Sequence, residues 1–238
     1  FGGFAANELA TRIDDCEPKV ILSASCGIEP GRVIAYKPLL DEAQEIAAHK
    51  VDACVILQRE QQTGELISGH DHDWSAEMAA VQPVNCVTVA ATDPLYILYT
   101  SGTTGRSKGA KLCHRNLRSN AKVLREYWRF TADDTLLHML PNYHTHGLFV
   151  AGNLLAMVGG SMIFLQKFSA DVALEWMPNA ASMMGVPTFY TRLLDHEGFT
   201  AATSAHMRLF ISGSAPLLAE THRQFEELTG KAILERYG

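Results

Sequence analysis

The sequence predicts an α/β fold in which parallel strands alternate with helices. Three observations predict it: short apolar runs recur along the chain, segments with helical spacing of apolar residues lie between them, and small-residue loops follow several of the runs. Such alternation is typical of a parallel sheet that carries helices on its faces. Ligands in these folds bind at the loops that leave the carboxyl ends of the strands. We therefore expect the functional residues in those loops.

The first part of the chain, up to residue 92, is predicted to contain two helices and two strands. In order, these are a helix at 6–15, a strand at 19–24, a helix at 38–49 and a strand at 53–57. Pro38 suits the first turn of its helix, because its fixed φ is helical and the missing N–H is not needed there. Residues 58–92 have weak periodicity and are predicted to form a surface excursion, in which the run His-Asp-His-Asp at 70–73 is a solvated loop rather than a metal site.

From residue 95 onwards the alternation becomes regular. Strands are expected at 95–99, 135–139, 161–165, 182–185, 208–211 and 232–234, and helices at 115–128, 148–157, 172–177, 187–195 and 219–229. Residues 147–165 carry no charge, and their number approaches the ~20 apolar residues of a spanning helix. Gly159 and Gly160 divide the segment, so a buried helix, a turn and a buried strand are predicted in place of a membrane span.

Composition and charge narrow the function classes. The net charge is −6, so nothing in the composition indicates nucleic-acid binding. The five cysteines are scattered without a C-x-x-C pair, which predicts free thiols in a reducing compartment rather than a disulfide framework or a zinc site. A cytoplasmic protein without a metal-ligand cluster is therefore expected, and the mitochondrial matrix is the alternative location.

The segment at residues 99–110, YTSGTTGRSKGA, follows an apolar strand and combines glycines, hydroxyls and Lys108. Glycines let backbone N–H groups approach a ligand, and hydroxyls and an ammonium bind phosphate oxygens. A P-loop needs lysine directly after its second glycine, whereas Lys108 lies three residues after Gly105. The predicted phosphate-binding residues are Thr100, Ser101, Gly102, Thr103, Thr104, Gly105 and Lys108.

This segment resembles the phosphate-binding signature of the adenylate-forming enzymes, which include acyl-CoA synthetases, luciferases and peptide-synthetase adenylation domains. The resemblance implies that the chain is part of the large N-terminal domain of such an enzyme. It implies ATP, Mg²⁺ and coenzyme A as cofactors, with Lys108 in a catalytic role on the β- and γ-phosphates. The implied reaction is attack of a carboxylate on the α-phosphate of ATP, followed by transfer of the acyl group to coenzyme A.

The character of the resemblance changes along the chain. Residues 1–99 resemble propionyl-CoA and acetyl-CoA synthetases, in the phrases FGGFAANELATRIDD at 1–15, SASCGIEPGR at 23–32 and HDW at 72–74. From about residue 105 to the end the chain resembles a malonyl-CoA synthetase. The acyl pocket of the superfamily is built mainly after the signature, which makes malonate the implied acid and propionate or acetate the alternative. A natural recombinant, an engineered chimera, a reconstructed sequence and an assembly artefact would all produce this mosaic.

Two loops are implied to surround the acid. In the loop PNYHTHG at 141–147, His144 and His146 would point the same way if the segment were extended, and two polar loop histidines are the alternative to a metal site. Resemblance to malonyl-CoA synthetases places His146 beside the acyl group, which implies a catalytic as well as an acid-binding role, and it directs Arg192 and Arg236 at the distal carboxylate. A guanidinium suits that task because its fork pairs bidentately with a carboxylate. Without the resemblance, both arginines would be interpreted as surface residues.

The loop in MRLFISGSAPL at 207–217 is expected to border adenine, because small residues let a flat ring approach the backbone. By resemblance, Ser214 also touches the acid, whereas Arg208 is structural. The end of the chain resembles the beginning of a motif whose tyrosine packs on adenine. The implied nucleotide-binding residues are Gly213, Ser214, Ala215, Pro216, Glu235, Tyr237 and Gly238.

Resemblance to acetyl-CoA synthetases places Phe1, Gly2 and Gly3 at the nucleotide of coenzyme A. An arginine of that site is replaced here by Glu29, which would repel phosphate. The family motif continues beyond Gly238 with a Mg²⁺-holding glutamate and a C-terminal lid that carries a catalytic lysine. We therefore expect the sequence to be part of a longer enzyme and inactive by itself, the alternative being a nucleotide-binding fragment without catalysis.

Overall fold

The computed structural model describes residues 5–29, 31–99 and 108–236. The chain divides into two compact units, Phe1–Thr88 and Val89–Gly238. The predicted phosphate-binding residues 100–105, the predicted coenzyme A residues 1–3, and Tyr237 and Gly238 lie outside the described residues.

The first unit is a small parallel sheet with helices packed on it. Its elements are α1 (Ala6–Cys16), β1 (Val20–Ala24), β2 (Cys26–Glu29), β3 (Arg32–Ala35), α2 (Tyr36–Ile46), β4 (Ala53–Leu57), β5 (Asp71–Asp73) and α3 (Trp74–Ala80). Strands β1, β4 and β5 form the sheet in the order β1-β4-β5, with parallel pairing, and β2 and β3 form an antiparallel hairpin. Ile13, Leu40 and Ile56 are buried in the core between α1, α2 and β4.

The prediction of a solvated loop at 70–73 is wrong. Asp71 begins β5, and its side chain is fully buried against the Lys37 ammonium, with 2.8 Å between Asp71 Oδ2 and Lys37 Nζ. Burial alone would raise the pKa of Asp71, but hydrogen bonds from the Ile67 N–H, Lys37 and His70 hold it below its usual range. Asp73 accepts a hydrogen bond from the Ala76 N–H and caps α3, so the segment predicted as an excursion contains a strand and a helix.

The second unit contains a five-stranded parallel sheet in the order β12-β11-β10-β8-β9. The strands of this unit are β6 (Pro94–Tyr99), β7 (Gly109–Cys113), β8 (Thr135–His138), β9 (Ser161–Phe164), β10 (Ser182–Gly185), β11 (Leu209–Ser212) and β12 (Ile233–Glu235). Its α-helices are α4 (His114–Trp128), α5 (Asn153–Val158), α6 (Ala170–Trp176), α7 (Pro187–Leu194) and α8 (Ala219–Thr229). Strands β6 and β7 flank the segment predicted to bind phosphate and pair antiparallel, and β7 was not predicted.

Successive residues of the central strands enter two different cores. Met183 of β10 and Phe210 of β11 pack with Phe225 of α8, whereas Met184 and Ile211 belong to a second cluster with Trp128 and Leu154. A strand that is buried on both faces appears in the sequence as a continuous apolar run, and this is why these strands could be predicted.

The uncharged segment 147–165 is divided as predicted, but the expectation of a buried strand is wrong, because Ser161 and Phe164 at the two ends of β9 are exposed. A π-helical turn, His146–Gly152, leads into α5, which ends at Gly159 with φ +72°, and β9 follows. Across the described residues, none of the helices has the length and apolar character needed to cross a bilayer.

Arg208 has the structural role predicted for it. Its guanidinium donates to both carboxylate oxygens of Asp134, at 2.8 and 2.9 Å, and to the Trp128 carbonyl, and it lies over the ring of Phe130. Burial alone would raise the pKa of Asp134, but hydrogen bonds from Arg208 and from the Thr131 N–H hold it below its usual range. The pair therefore ties the start of β11 to the turn before β8.

Candidate functional site

The carboxyl ends of four neighbouring strands meet at one edge of the five-stranded sheet. In register, the strand ends pair as follows: Met184 with His138, Gly185 with Ser212, and Ser212 with Glu235. The segment 139–147, the loop 213–217 and Arg236 all leave the sheet at this edge, where ligands bind in parallel α/β folds.

The segment 141–147 is a closed loop rather than an extended one. The His144 N–H donates to the Pro141 carbonyl at 3.2 Å, and the Leu148 N–H donates to the His144 carbonyl at 2.9 Å. A Cβ on Gly147 would lie 2.3 Å from the Pro141 oxygen, so only glycine fits there. His146 is buried whereas His144 is exposed, because the backbone turns between them. The expectation that both histidines point the same way is therefore wrong.

Three predicted acid-binding residues come together around Gly213. Ser214 Oγ lies 3.3 Å from His146 Nδ1. A Cβ on Gly213 would lie 2.9 Å from Arg236 Cγ and 3.2 Å from His146 Cε1. The missing side chain at 213 therefore lets the imidazole and the guanidinium stem share one space. Ser214 adopts φ +72°, a left-handed conformation that is costly for a residue other than glycine and recurs at binding sites.

The electrostatics of this group favour a neutral histidine next to a cation. Burial, together with the charge of Arg236, lowers the pKa of His146 to about 3. Burial also lowers the pKa of Arg236. His146 Nε2 is buried and has no hydrogen-bond partner within the described part of the chain. At neutral pH the site therefore presents a neutral imidazole whose Nε2 one hydrogen bond to a ligand would satisfy.

Arg192 packs on an aromatic pair formed by Phe168 and Phe189. It is exposed in the last turn of α7, with its guanidinium carbon 4.8 Å from the ring centre of Phe168, which stacks on Phe189 at 4.1 Å. A Cβ on Gly185 would lie 3.0 Å from Phe189, so the aromatic stack begins at the end of β10. Among the described residues, no hydrogen bond or ion pair joins Arg192 to the group around Gly213. Its predicted contact with the acid stays a prediction.

The predicted adenine loop is braced by Glu235. The Leu217 N–H donates to Glu235 Oε1 at 3.2 Å, and His222 Nε2 lies 3.3 Å from Glu235 Oε2. Ser214, Ala215 and Pro216 are exposed between the buried residues Gly213 and Leu217, so they form an open ledge on which a flat ring could lie. Glu235 thus holds the loop against α8, and its own contact with a nucleotide stays a prediction.

Two further residues of the predicted ligand sites, Lys108 and Glu29, lie outside the group around Gly213. Lys108 is exposed directly before β7, and its contact with phosphate stays a prediction. Glu29 pairs with Arg32, with 2.8 Å between Glu29 Oε2 and Arg32 Nε, so part of the negative charge predicted to repel phosphate is compensated.

Sequence reasoning missed His138 and Asn142. His138 ends β8, is fully buried and lies with Nε2 2.9 Å from Asn142 Oδ1. Burial lowers the pKa of His138. A histidine inside the apolar run at 136–140, directly before the loop of His146, was the available signal.

A possible metal-ligand group lies elsewhere in the described residues. Cys54, His70 and Asp71 of the first unit have ligand atoms within 4.8 Å of one another. The Lys37 ammonium already neutralises the Asp71 carboxylate, and burial raises the pKa of the Cys54 thiol to about 11, so the thiol stays protonated at neutral pH. This group therefore does not favour binding of a metal cation.

Comparison with known proteins identifies the family. Residues 1–238 match the sequence model of the family described as AMP-binding enzyme, and the chain belongs to this family. MatB from Rhodopseudomonas palustris, solved with ATP bound, superposes with a TM-score of 0.79 and 44% identity, over 99% of this chain and 43% of that protein. The predicted α/β fold of an adenylate-forming enzyme is thereby confirmed.

Curated relatives of two kinds are similar to parts of the chain. Acyl-CoA synthetase short-chain family member 3, mitochondrial, from Rattus norvegicus is 56% identical over 110 residues, which are 46% of this chain and 16% of the relative. Malonate–CoA ligase from Arabidopsis thaliana is 36% identical over 166 residues, 61% of this chain and 27% of the relative. The chain thus spans a minor part of each relative, and the predicted boundary between two differently related parts stays a prediction.

Proposed function

We propose that this member of the AMP-binding family is the ATP- and acid-binding part of an acid–CoA ligase, and that the acid is malonate. The observation that carries the proposal is the convergence of His146, Ser214 and Arg236 around Gly213 at the carboxyl edge of the sheet. The name of the Arabidopsis relative agrees with ligation of malonate to coenzyme A, and the Rhodopseudomonas protein was solved with ATP bound.

The charge of Arg236 favours a dicarboxylate. In adenylate formation one carboxylate of the acid must face the α-phosphate of ATP. Propionate or acetate would then bring an alkyl group near the partly buried guanidinium and add no favourable charge interaction with it. Malonate would bring its second carboxylate, which can form charge-assisted hydrogen bonds with Arg236 and accept one from neutral His146.

The proposed first step needs no general base. A malonate carboxylate is already ionised at neutral pH, and its oxygen attacks the α-phosphorus while the bond to the β-phosphate oxygen breaks and pyrophosphate leaves. His146 stays neutral at this pH, since its pKa is about 3, so its role is to orient the acid. Lys108 and the hydroxyls at 100–104 would neutralise the pyrophosphate charge as it develops. The thiol of coenzyme A then gives up its proton to solvent, its sulfur attacks the acyl carbon, the bond from that carbon to the phosphate oxygen breaks, and AMP leaves.

The described residues do not by themselves form a Mg²⁺ site at this edge. Glu235 is the carboxylate carried by β12, and both of its oxygens already contact the Leu217 N–H or His222. A Mg²⁺ ion that accompanies ATP would take its ligands from phosphate oxygens, water and residues outside the described part of the chain.

A second candidate is a ligase for propionate or acetate. The similarity to the short-chain family member from rat favours it, because that similarity has the higher identity. The mitochondrial location in that relative's name also fits the alternative compartment, whereas a cytoplasmic location stays a prediction.

Binding measurements on the purified chain separate the candidates. With a non-hydrolysable ATP analogue present, calorimetry should give a dissociation constant for malonate at least tenfold below that for propionate. Arg236→Met should abolish this preference and leave nucleotide binding intact. Arg223→Met is the matched control, since Arg223 is an exposed arginine of α8 that pairs with Glu220 and Glu227. Arg192→Met tests whether the second predicted arginine also contributes.

Turnover can be measured in a fusion of this chain with the remaining C-terminal segment of the Rhodopseudomonas protein. Pyrophosphate release should be faster with malonate than with propionate. Equal or faster turnover of propionate would refute the dicarboxylate proposal, and binding of nucleotide without any turnover would favour a non-catalytic role.

A further inference from the structure

His138 is a buried polar residue directly below the loop that carries His146. It is the last residue of β8 and lies between Met184 of β10 and Phe164 of β9 in the register of the sheet. Its side chain is fully buried, and its ring stacks on Phe164 with 5.5 Å between ring centres. A buried imidazole in an apolar strand needs a reason, because burial of a polar group is costly unless its hydrogen bonds are made.

The hydrogen bond of His138 reaches the closed end of that loop. His138 Nε2 lies 2.9 Å from Asn142 Oδ1, and with the proton on Nε2 the imidazole donates to the amide oxygen. A Cβ on Gly147 would lie 3.3 Å from the same Asn142 oxygen and 2.3 Å from the Pro141 oxygen. Gly147 is thus in close contact with both Pro141 and Asn142. The two ends of the loop therefore meet next to His138.

His146 directly precedes Gly147, so the position of its ring depends on how this loop closes. From there its Nδ1 lies 3.3 Å from Ser214 Oγ, in a loop 68 residues further along the chain. The backbone bonds at His144 and Leu148 close the loop on itself, and the His138–Asn142 bond ties the closed loop to the end of β8. Without that tie the loop would be free to shift relative to β8 and to carry the imidazole away from Ser214 and Arg236.

We infer that His138 is a positioning residue for the acid site: by donating to Asn142 it holds the loop 141–147 in the closure that sets His146 beside Ser214 and Arg236. The substrate part of this inference rests on the proposed function. If release of the loop leaves the binding-competent closure populated at about 10–30%, malonate affinity falls by about three- to tenfold, because apparent affinity scales with the competent fraction. Nucleotide affinity should stay unchanged, since the ledge at 214–216 is braced separately by Glu235.

Four variants test the inference in the full chain. His138→Phe keeps the ring volume and the stacking on Phe164 but removes the donor, and Asn142→Ala removes the acceptor. His138→Gln keeps an N–H donor at a similar reach and should restore the wild-type behaviour. Thr229→Val is the matched control, because it removes a buried hydrogen bond of 2.7 Å to the Phe225 carbonyl at the end of α8.

The first measurement is calorimetric titration with malonate in the presence of a non-hydrolysable ATP analogue. His138→Phe and Asn142→Ala should each lower the affinity for malonate by about three- to tenfold. The double variant should lower it no more than either single variant, because the two substitutions remove the same hydrogen bond. An equal loss of malonate and nucleotide affinity in His138→Phe would overturn the inference, since it would indicate a merely structural role. Unchanged malonate affinity in both folded variants would overturn it as well.

The second measurement needs no substrate. It is NMR of the chain labelled with ¹³C-histidine. The ring signal of His146 should move to the same new position in His138→Phe and Asn142→Ala. In His138→Gln and Thr229→Val it should overlay the wild-type signal. If the wild-type chain binds no malonate, the proposed function fails, and the His146 signal still decides the positioning role. An unmoved signal in a folded His138→Phe or Asn142→Ala chain would refute that role, and Asn142→Ala serves if His138→Phe does not fold.

Discussion

Replacing His146 by glutamine should make the second unit less sensitive to acid. The pKa of His146 lies at about 3, below the ordinary value of 6.5, because burial and the neighbouring Arg236 disfavour its charged form. Glutamine has a similar reach and stays neutral at every pH. The substitution therefore removes one titrating group without placing a charge in the site.

The sign and size of the effect follow from proton linkage. Between pH 6.5 and about 3 the unfolded chain binds a proton at His146 and the folded chain does not, so acid favours unfolding. The free energy of unfolding should fall by about 1.4 kcal/mol per pH unit in this window. From pH 7 to pH 5 the contribution of His146 amounts to about 2 kcal/mol, and His146→Gln should lack it.

The assay is urea unfolding at pH 7, 6 and 5, followed by tryptophan fluorescence. A Trp74→Phe background restricts the signal to Trp128 and Trp176 of the second unit. The control is His144→Gln, which makes the same substitution at an exposed histidine of the same loop. The contribution of His138 is common to all these proteins and cancels in the comparison. If His146→Gln loses as much stability between pH 7 and pH 5 as the wild type, the explanation by burial is refuted.

Three further predictions concern charged groups in both units. Asp134→Ala should lower the free energy of unfolding by about 2–3 kcal/mol in urea melts, less than for a fully buried pair because Arg208 is partly exposed; a loss below about 0.5 kcal/mol would contradict a structural role. Asp71→Asn should destabilise the first unit by about 2–4 kcal/mol, since the buried Lys37 ammonium loses a charged partner, and unchanged melting would contradict this. Lys108→Ala should weaken ATP binding by about 2 kcal/mol in calorimetry and leave unfolding unchanged; parental affinity would remove Lys108 from the phosphate site.

The sequence by itself determined the family and most of the strands and helices along the second unit. Residues 182–185 and 219–229 were predicted and observed with the same bounds, as Ser182–Gly185 and Ala219–Thr229. Strands buried on both faces need continuous apolar runs, and such runs can be recognised without knowledge of their neighbours. The signature at 99–110 is likewise local, because a phosphate loop takes its glycines, hydroxyls and lysine from consecutive residues.

Only the tertiary structure decided which polar residues are buried and which of them meet. Asp71 lies in a polar run that is typical of a solvated loop, yet the parallel pairing of β5 with β4 brings it to Lys37. His146 and Ser214 are 68 residues apart, and they meet because β8 and β11 both flank β10 and end at one edge of the sheet. Burial and partners of a side chain are set by elements distant in sequence, so no local pattern specifies them.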